Sequence, residues 1–217
     1  EVSETIRNVR AFDRESQTFA DLDPAACGFA YRTSIFNSTH RERYIVTRVV
    51  YALTPGGAPH LRYRDLTEAF AGRTDPPTLA ETRAAVLGIR RSKAMVIEAG
   101  NPDTRGAGSF FKNPIVEAAA ADSVAAQAGI DLAAYPAGAG NVKLSAARLI
   151  EAAGFRRGYR RGGAGLSSRH VLALTNQDNA TAQDIADLAT EIRDGVRARF
   201  GVELKPEPKF LGFDEPY

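Results

Sequence analysis

Apolar positions alternate along some stretches of the chain and recur every three or four residues along others. Residues 5–12 set Ile6 and Val9 in a partly alternating run and predict a strand. Residues 13–16 read as a turn and 17–20 as a short second strand, so the two form a hairpin. Residues 44–53 are rich in β-branched and aromatic types and predict a third strand, ended by the breaker Thr54-Pro55-Gly56-Gly57. Helical spacing then takes over. Residues 78–91 carry Ala85, Val86 and Ile89 on one face, with Thr78 and Glu81 at capping-box spacing. Residues 114–128 predict an alanine-rich helix opened by Pro114. Residues 143–154 predict another, stopped by Gly154. Residues 182–199 place Ile185, Leu188, Ile192 and Val196 on one stripe, an amphipathic helix that packs on a sheet. Loops are expected at 97–105 and 135–141, a strand at 170–176 and a closing strand at 200–210. Strands and helices in separate runs give an α+β fold class.

Composition narrows the functions. The 217 residues suffice for one large domain or two modest ones. A hydrophobic share of 44% with 25% charged residues fits a soluble globular protein. The net charge of +2 argues against a nucleic-acid binder or a polybasic membrane anchor. The single cysteine, Cys27, excludes an internal disulfide framework and points to a reducing compartment, here the cytoplasm. No metal is expected, because His40, His60 and His170 lie far apart without ligand spacing. No apolar run approaches the length that crosses a bilayer. The polar, acidic first residues do not suggest a signal peptide.

Candidate chemistry concentrates in Gly106-Ala107-Gly108-Ser109-Phe110-Phe111-Lys112-Asn113-Pro114. Glycine permits positive φ or close approach to a neighbour. Phe110 and Phe111 are apolar anchors, which leaves Ser109, Lys112 and Asn113 as polar tips on a rigid turn. Arg156 to Gly163 is a second cluster, of Arg, Gly and Tyr. Such clusters bind RNA by charge and stacking, but this one is eight residues long and lies between a helix and a strand.

The nonapeptide resembles the G-S-F-F-x-N-P signature of the UDP-N-acetylenolpyruvoylglucosamine reductase family, flavoenzymes that make UDP-N-acetylmuramate for peptidoglycan. Further stretches follow in the family's order. Residues 29–36 resemble F-G-Y-R-x-S-x-F, and residues 60–66 resemble the L-x-Y-x-D-L segment of the subclass that carries a tyrosine loop. Arg90 and Lys93 fit R-x-x-K, residues 143–154 fit K-x-x-A-x-x-L-I-E-x-A-G, and residues 200–210 fit F-G-V-x-L-x-P-E-x-x-F. The resemblance implies Ser109, Arg32 and Glu207 as catalytic residues, and Tyr31 and Arg32 beside FAD. It implies Tyr63, Arg90, Lys93, Asn113, His170 and Lys209 as contacts to the sugar nucleotide. NADPH would reduce FAD and leave, and UDP-N-acetylenolpyruvoylglucosamine would take its place. Three departures stand out: Asn37 where many members carry Lys, Met95 to Glu98 in place of a proline-rich run, and Lys209 where Arg is usual.

The family's glycine-rich FAD-binding segments, G-x-G-S-N and I-P-G-x-x-G with N-x-G-A-Y-G, do not occur in the chain. The chain is therefore expected to be the C-terminal part of such an enzyme and inactive in isolation, with the missing half as a partner. Residues 1–98 read as the remnant of an FAD-binding domain with a β-rich insertion. Residues 99–201 read as an α+β substrate-binding domain, and 202–217 as a tail returning to the flavin domain. A non-catalytic nucleotide-sugar-binding fragment and an RNA binder are the alternatives.

Overall fold

A computed structural model describes residues 2–30, 32–132 and 134–213. Two compact units emerge, Glu1–Pro59 and His60–Tyr217. The fold is α+β throughout, helices combined with antiparallel sheets.

The first unit is a three-stranded antiparallel sheet with order β2-β1-β3, built from β1 (Ile6–Asp13), β2 (Thr18–Leu22) and β3 (Tyr44–Tyr51). The hairpin and third strand follow the predicted pattern. Alternation turns Val9, Ala11 and Asp13 of β1 inward, and the register irregularity between Ile6 and Asn8 brings Ile6 in as well, so that Ile6 and Val9 pack with Cys27, Leu22, Phe29, Phe36 and Val49. Asp13 is also buried, and Arg43 reaches it through Nε at 3.1 Å and Nη2 at 2.7 Å. That guanidinium lowers the Asp13 carboxyl to about 2.

The second unit opens with α1 (Arg64–Ala69) and α2 (Leu79–Ser92). Thr78 and Glu81 close the expected capping box on α2. Three short strands, β4 (Ile115–Glu117), β5 (Tyr135–Pro136) and β6 (Asn141–Lys143), form a sheet of order β4-β6-β5. Between β4 and β5 runs α3 (Ala118–Ala128), and after β6 comes α4 (Ala146–Ala152). A second sheet, β7-β8-β9, joins Arg160–Arg161, Ala164–Leu166 and Leu174–Asn176. The long α5 (Ala182–Phe200) covers it. Thr181 and Asp184 cap α5, and Gly201 ends it with φ of 68°. Leu188, Ile192 and Val196 of the predicted stripe are buried against Leu149, Ile150, Leu166 and Leu174. Gly195 leaves room for Phe155, whose ring lies 2.7 Å from where a Cβ would stand.

Several elements differ from the sequence expectation. Pro114 does not open α3: Ile115 and Val116 are β-branched, favour the extended state and pair with Lys143 and Val142. The expected loop at 135–141 is the β5–β6 hairpin, turned through Gly138 and Gly140, both at positive φ. Because residues 141–143 are used in β6, α4 starts only after Ser145, whose hydroxyl accepts the Arg148 amide. The strand expected at 170–176 shrinks to β9, since the Ala173 amide turns back to the His170 carbonyl. Residues 200–210 form no closing strand. Pro206 and Pro208 lack amide donors, so pairing reduces to a bridge between Phe111 and Pro206 flanked by two hydrogen bonds. Within the second unit, the Glu98 amide after α2 donates to Thr104 Oγ1 at 3.2 Å. No helix among the described residues is long and apolar enough to cross a membrane.

Candidate active site

The glycine turn runs as an irregular strip beside β9. The Asn176 amide donates to Arg105 O at 2.9 Å, Gly106 bridges Thr175, and the Phe110 amide donates to Leu172 O at 2.7 Å. The two glycines meet different needs. A Cβ on Gly106 would lie 2.8 Å from Leu174 O, so the strip reaches β9 only without a side chain there. Gly108 has open space but a φ of +81°, which a side chain would strain. Beyond the turn, Phe110 and Phe111 are 3% and 2% exposed and stack edge-on at 5.2 Å, anchoring the strip in the core. Ser109, held between Gly108 and the buried rings, is half-buried and lines a cleft of about 300 Å³.

From the C-terminal end of α2, Arg90 lines the same cleft. The backbone breaks out of the helix at Ala94, at positive φ, and the Met95 amide returns to Arg90 O at 2.8 Å. Cations at a helix C-terminus oppose its dipole, so this position suits Arg90 and Lys93 without any ligand. Lys93 is ion-paired with Asp65 of α1. Two residues before Asp65 stands Tyr63, 80% exposed, outside any core. His170 is more enclosed. Burial lowers its pKa first, and the positive charges of Lys93 and Arg157 lower it further against the opposing Glu151. It is therefore neutral at pH 7, and its Nδ1 accepts the Leu172 amide at 3.2 Å, which leaves the proton on Nε2.

Glu207 reaches this region through its backbone. Its amide donates to Phe110 O at 2.8 Å, and the Lys112 amide donates to Lys205 O at 2.9 Å, so residues some hundred positions apart run side by side. Lys209 is exposed on the same extended segment. Asn113 has a structural bond: its Oδ1 accepts the Ala146 amide at 3.0 Å, at the first turn of α4. Ser109 and Arg90 thus share one cleft, and Glu207 is on the backbone bonded to Phe110.

Arg32 lies in the first unit, exposed and at a φ of 56°. Asn37 supports that left-handed turn: its Nδ2 donates to Arg32 O at 3.1 Å, and its Oδ1 accepts the Ser34 amide at 2.9 Å. The amide in place of the family's lysine thus has a local use. Tyr31 lies outside the described residues. The described residues of the first unit form strands and two 3-10 turns, with no α-helix among them. No cluster of three or more His, Cys, Asp or Glu among the described residues could hold a metal.

The Arg/Gly/Tyr cluster is engaged with α5. The Tyr159 hydroxyl donates to Glu191 at 2.5 Å, and Arg161 pairs with Glu191 at 3.1 Å and Asp187 at 3.7 Å. Sequence reading missed Asp103, which also lines the cleft. Its burial would raise the carboxyl pKa, but donation from Ser168 and Gln177 outweighs this and holds it below the usual range. The signal available was Asn101-Pro102-Asp103, in which the Asn101 side chain caps a 3-10 turn by accepting the Asp103 amide.

Residues 101–211 match the family model described as UDP-N-acetylenolpyruvoylglucosamine reductase, C-terminal domain. The chain is 45% identical to the UDP-N-acetylenolpyruvoylglucosamine reductase of Thermobifida fusca over 98% of its own length and 61% of that protein's. It is 44% identical to the protein of the same name from Mycobacterium sp. (strain MCS), again over 98% and 61% of the two lengths. Among solved structures, UDP-N-acetylenolpyruvylglucosamine reductase from Thermus caldophilus matches 94% of this chain and 53% of that one. The TM-score is 0.51 at 21% identity, a likeness of fold. The chain thus spans about three fifths of the length of the curated relatives it matches.

Proposed function

The chain belongs to the UDP-N-acetylenolpyruvoylglucosamine reductase family, and from that premise we propose that it is the substrate-binding part of such a cytoplasmic enzyme. The complete reductase converts UDP-N-acetylenolpyruvoylglucosamine to UDP-N-acetylmuramate for peptidoglycan synthesis, using NADPH and FAD. In this assignment the substrate domain opens at 99, two residues before the family match. FAD supplies the hydride chemistry when bound, and sequence outside this chain supplies most of its site.

The observation that carries the proposal is the cleft shared by Ser109 and Arg90. A sugar nucleotide brings a diphosphate and a carboxylate, and both need cations. Arg90 offers a planar fork for two parallel hydrogen bonds, and Lys93 a movable ammonium that exchanges Asp65 for phosphate. Tyr63, exposed beside that ion pair, closes over the bound nucleotide, and neutral His170 orients it through Nε2–H. Reduction of the enolpyruvyl double bond builds charge toward the substrate carboxylate, where Arg32 and Glu207 act. The Ser109 hydroxyl then gives its proton to the carbon next to the carboxylate. Serine is a weak acid, but an enolate carbon is a strong base.

Calorimetric titration of the full-length reductase with its sugar nucleotide tests the site. Arg90→Ala is expected to weaken binding about ten-fold, near 1.4 kcal/mol. Unchanged affinity would mean that the nucleotide binds elsewhere.

A further inference from the structure

Asp103 faces the cleft but aims its carboxylate at the protein. Its Oδ1 accepts the Ser168 amide at 3.0 Å and Gln177 Nε2 at 2.9 Å, and its Oδ2 accepts the Ser168 hydroxyl at 2.5 Å. The bonds continue inward. Gln177 Nε2 also donates to Thr175 Oγ1 at 2.7 Å, and that buried hydroxyl donates to Gly165 O at 3.1 Å. Thr175 is the residue against which Gly106 packs, with its Cγ2 3.2 Å from where a Gly106 Cβ would lie. A relay of hydrogen bonds therefore links the cleft wall to β8 and controls the surface on which the glycine turn rests.

We infer that Asp103 is a positioning residue for Ser109, clamping the start of the 105–110 strip to the Ser168 turn and to Gln177 so that the serine hydroxyl keeps one place in the cleft. The inference rests on reading Ser109 as the proton donor. Two features make such a clamp necessary. The serine follows Gly108, a glycine at positive φ that tolerates many backbone states. The backbone bonds of Arg105 and Phe110 bracket the serine from either side. A displacement of about 1 Å at a reacting group costs up to about a hundred-fold in rate. The clamp also explains how a carboxylate stands in a cleft meant for anions: its lone pairs are turned to neutral donors of the protein.

The test is a double-mutant cycle in the full-length holoenzyme, read as reoxidation of reduced flavin by the sugar nucleotide. Asp103→Asn should slow reoxidation about ten-fold when Ser109 is present and less than about two-fold in the Ser109→Ala background. Ser168→Ala keeps the carboxylate and should act in the same direction more weakly. It also reads the cycle if Asp103→Asn proves too unstable. Amide hydrogen exchange gives a readout independent of turnover: exchange at Phe110 should quicken in Asp103→Asn while α5 stays protected. Equal slowing in both backgrounds would make Asp103 a general structural residue and overturn the inference, as would no slowing with Ser109 present. If Ser109→Ala itself reoxidises at the wild-type rate, the proton-donor reading fails. The clamp would then be kept by faster Phe110 exchange and overturned by unchanged exchange.

Discussion

Gly106 and Gly108 constrain the same serine through different physics, and alanine separates them. Gly106→Ala forces a Cβ onto Leu174 O, so the strip must part from β9. The expected loss is about 1–3 kcal/mol, the range for overpacking. Gly108→Ala meets no atom and pays only for its left-handed backbone, about 1–2 kcal/mol. Thermal unfolding should give comparable losses for both, but only Gly106→Ala should speed exchange of the Asn176 amide. Tyr63 is a simpler case. Its exposure leaves the hydroxyl for the ligand, so Tyr63→Phe should weaken sugar-nucleotide binding by about 0.5–1.5 kcal/mol, the worth of one hydrogen bond. Unchanged affinity would remove Tyr63 from the site. At this scale much was legible: Ser109, with its glycines and paired phenylalanines, announces a rigid turn by composition. Asp103 was not, because its partners Ser168 and Gln177 are 65 and 74 residues away. Nor was the bond from Asn113 to Ala146, 33 residues on.

At the scale of elements, local signals carried and distant ones did not. The capping boxes of α2 and α5 lie within four residues, and α5 keeps its predicted stripe. The short strands β4 to β9 depend on partners whose register no local pattern encodes, so a helix was expected where β4 pairs and a strand where Pro206 and Pro208 prevent one. In the first unit, the Arg43–Asp13 pair makes a pH prediction. The folded-state pKa of Asp13 lies below its unfolded value, so its stabilisation is fully present above about pH 4 and is lost as pH falls toward about 2. Arg43→Met should move acid unfolding of the β1–β3 sheet to higher pH, followed by circular dichroism. An unmoved midpoint would show that the pair does not govern the transition.

For the molecule as a whole, the family and fold class were legible because motifs in several separate segments fall in one order. The chain spans 61% of the length of the first curated relatives it matches. Expressed by itself it should elute from gel filtration without a flavin spectrum, and a stoichiometric flavin peak would show a more complete site than described. The central claim concerns Ser109, and stopped-flow flavin absorbance in the full-length reductase tests it most directly. Ser109→Ala should leave reduction by NADPH near the wild-type rate and slow reoxidation by the enolpyruvyl substrate at least about a hundred-fold, the low end for a positioned general acid. Ser109→Cys should recover part of that loss. Equal slowing of both half-reactions, or of neither, would contradict the assignment of Ser109 as the proton donor.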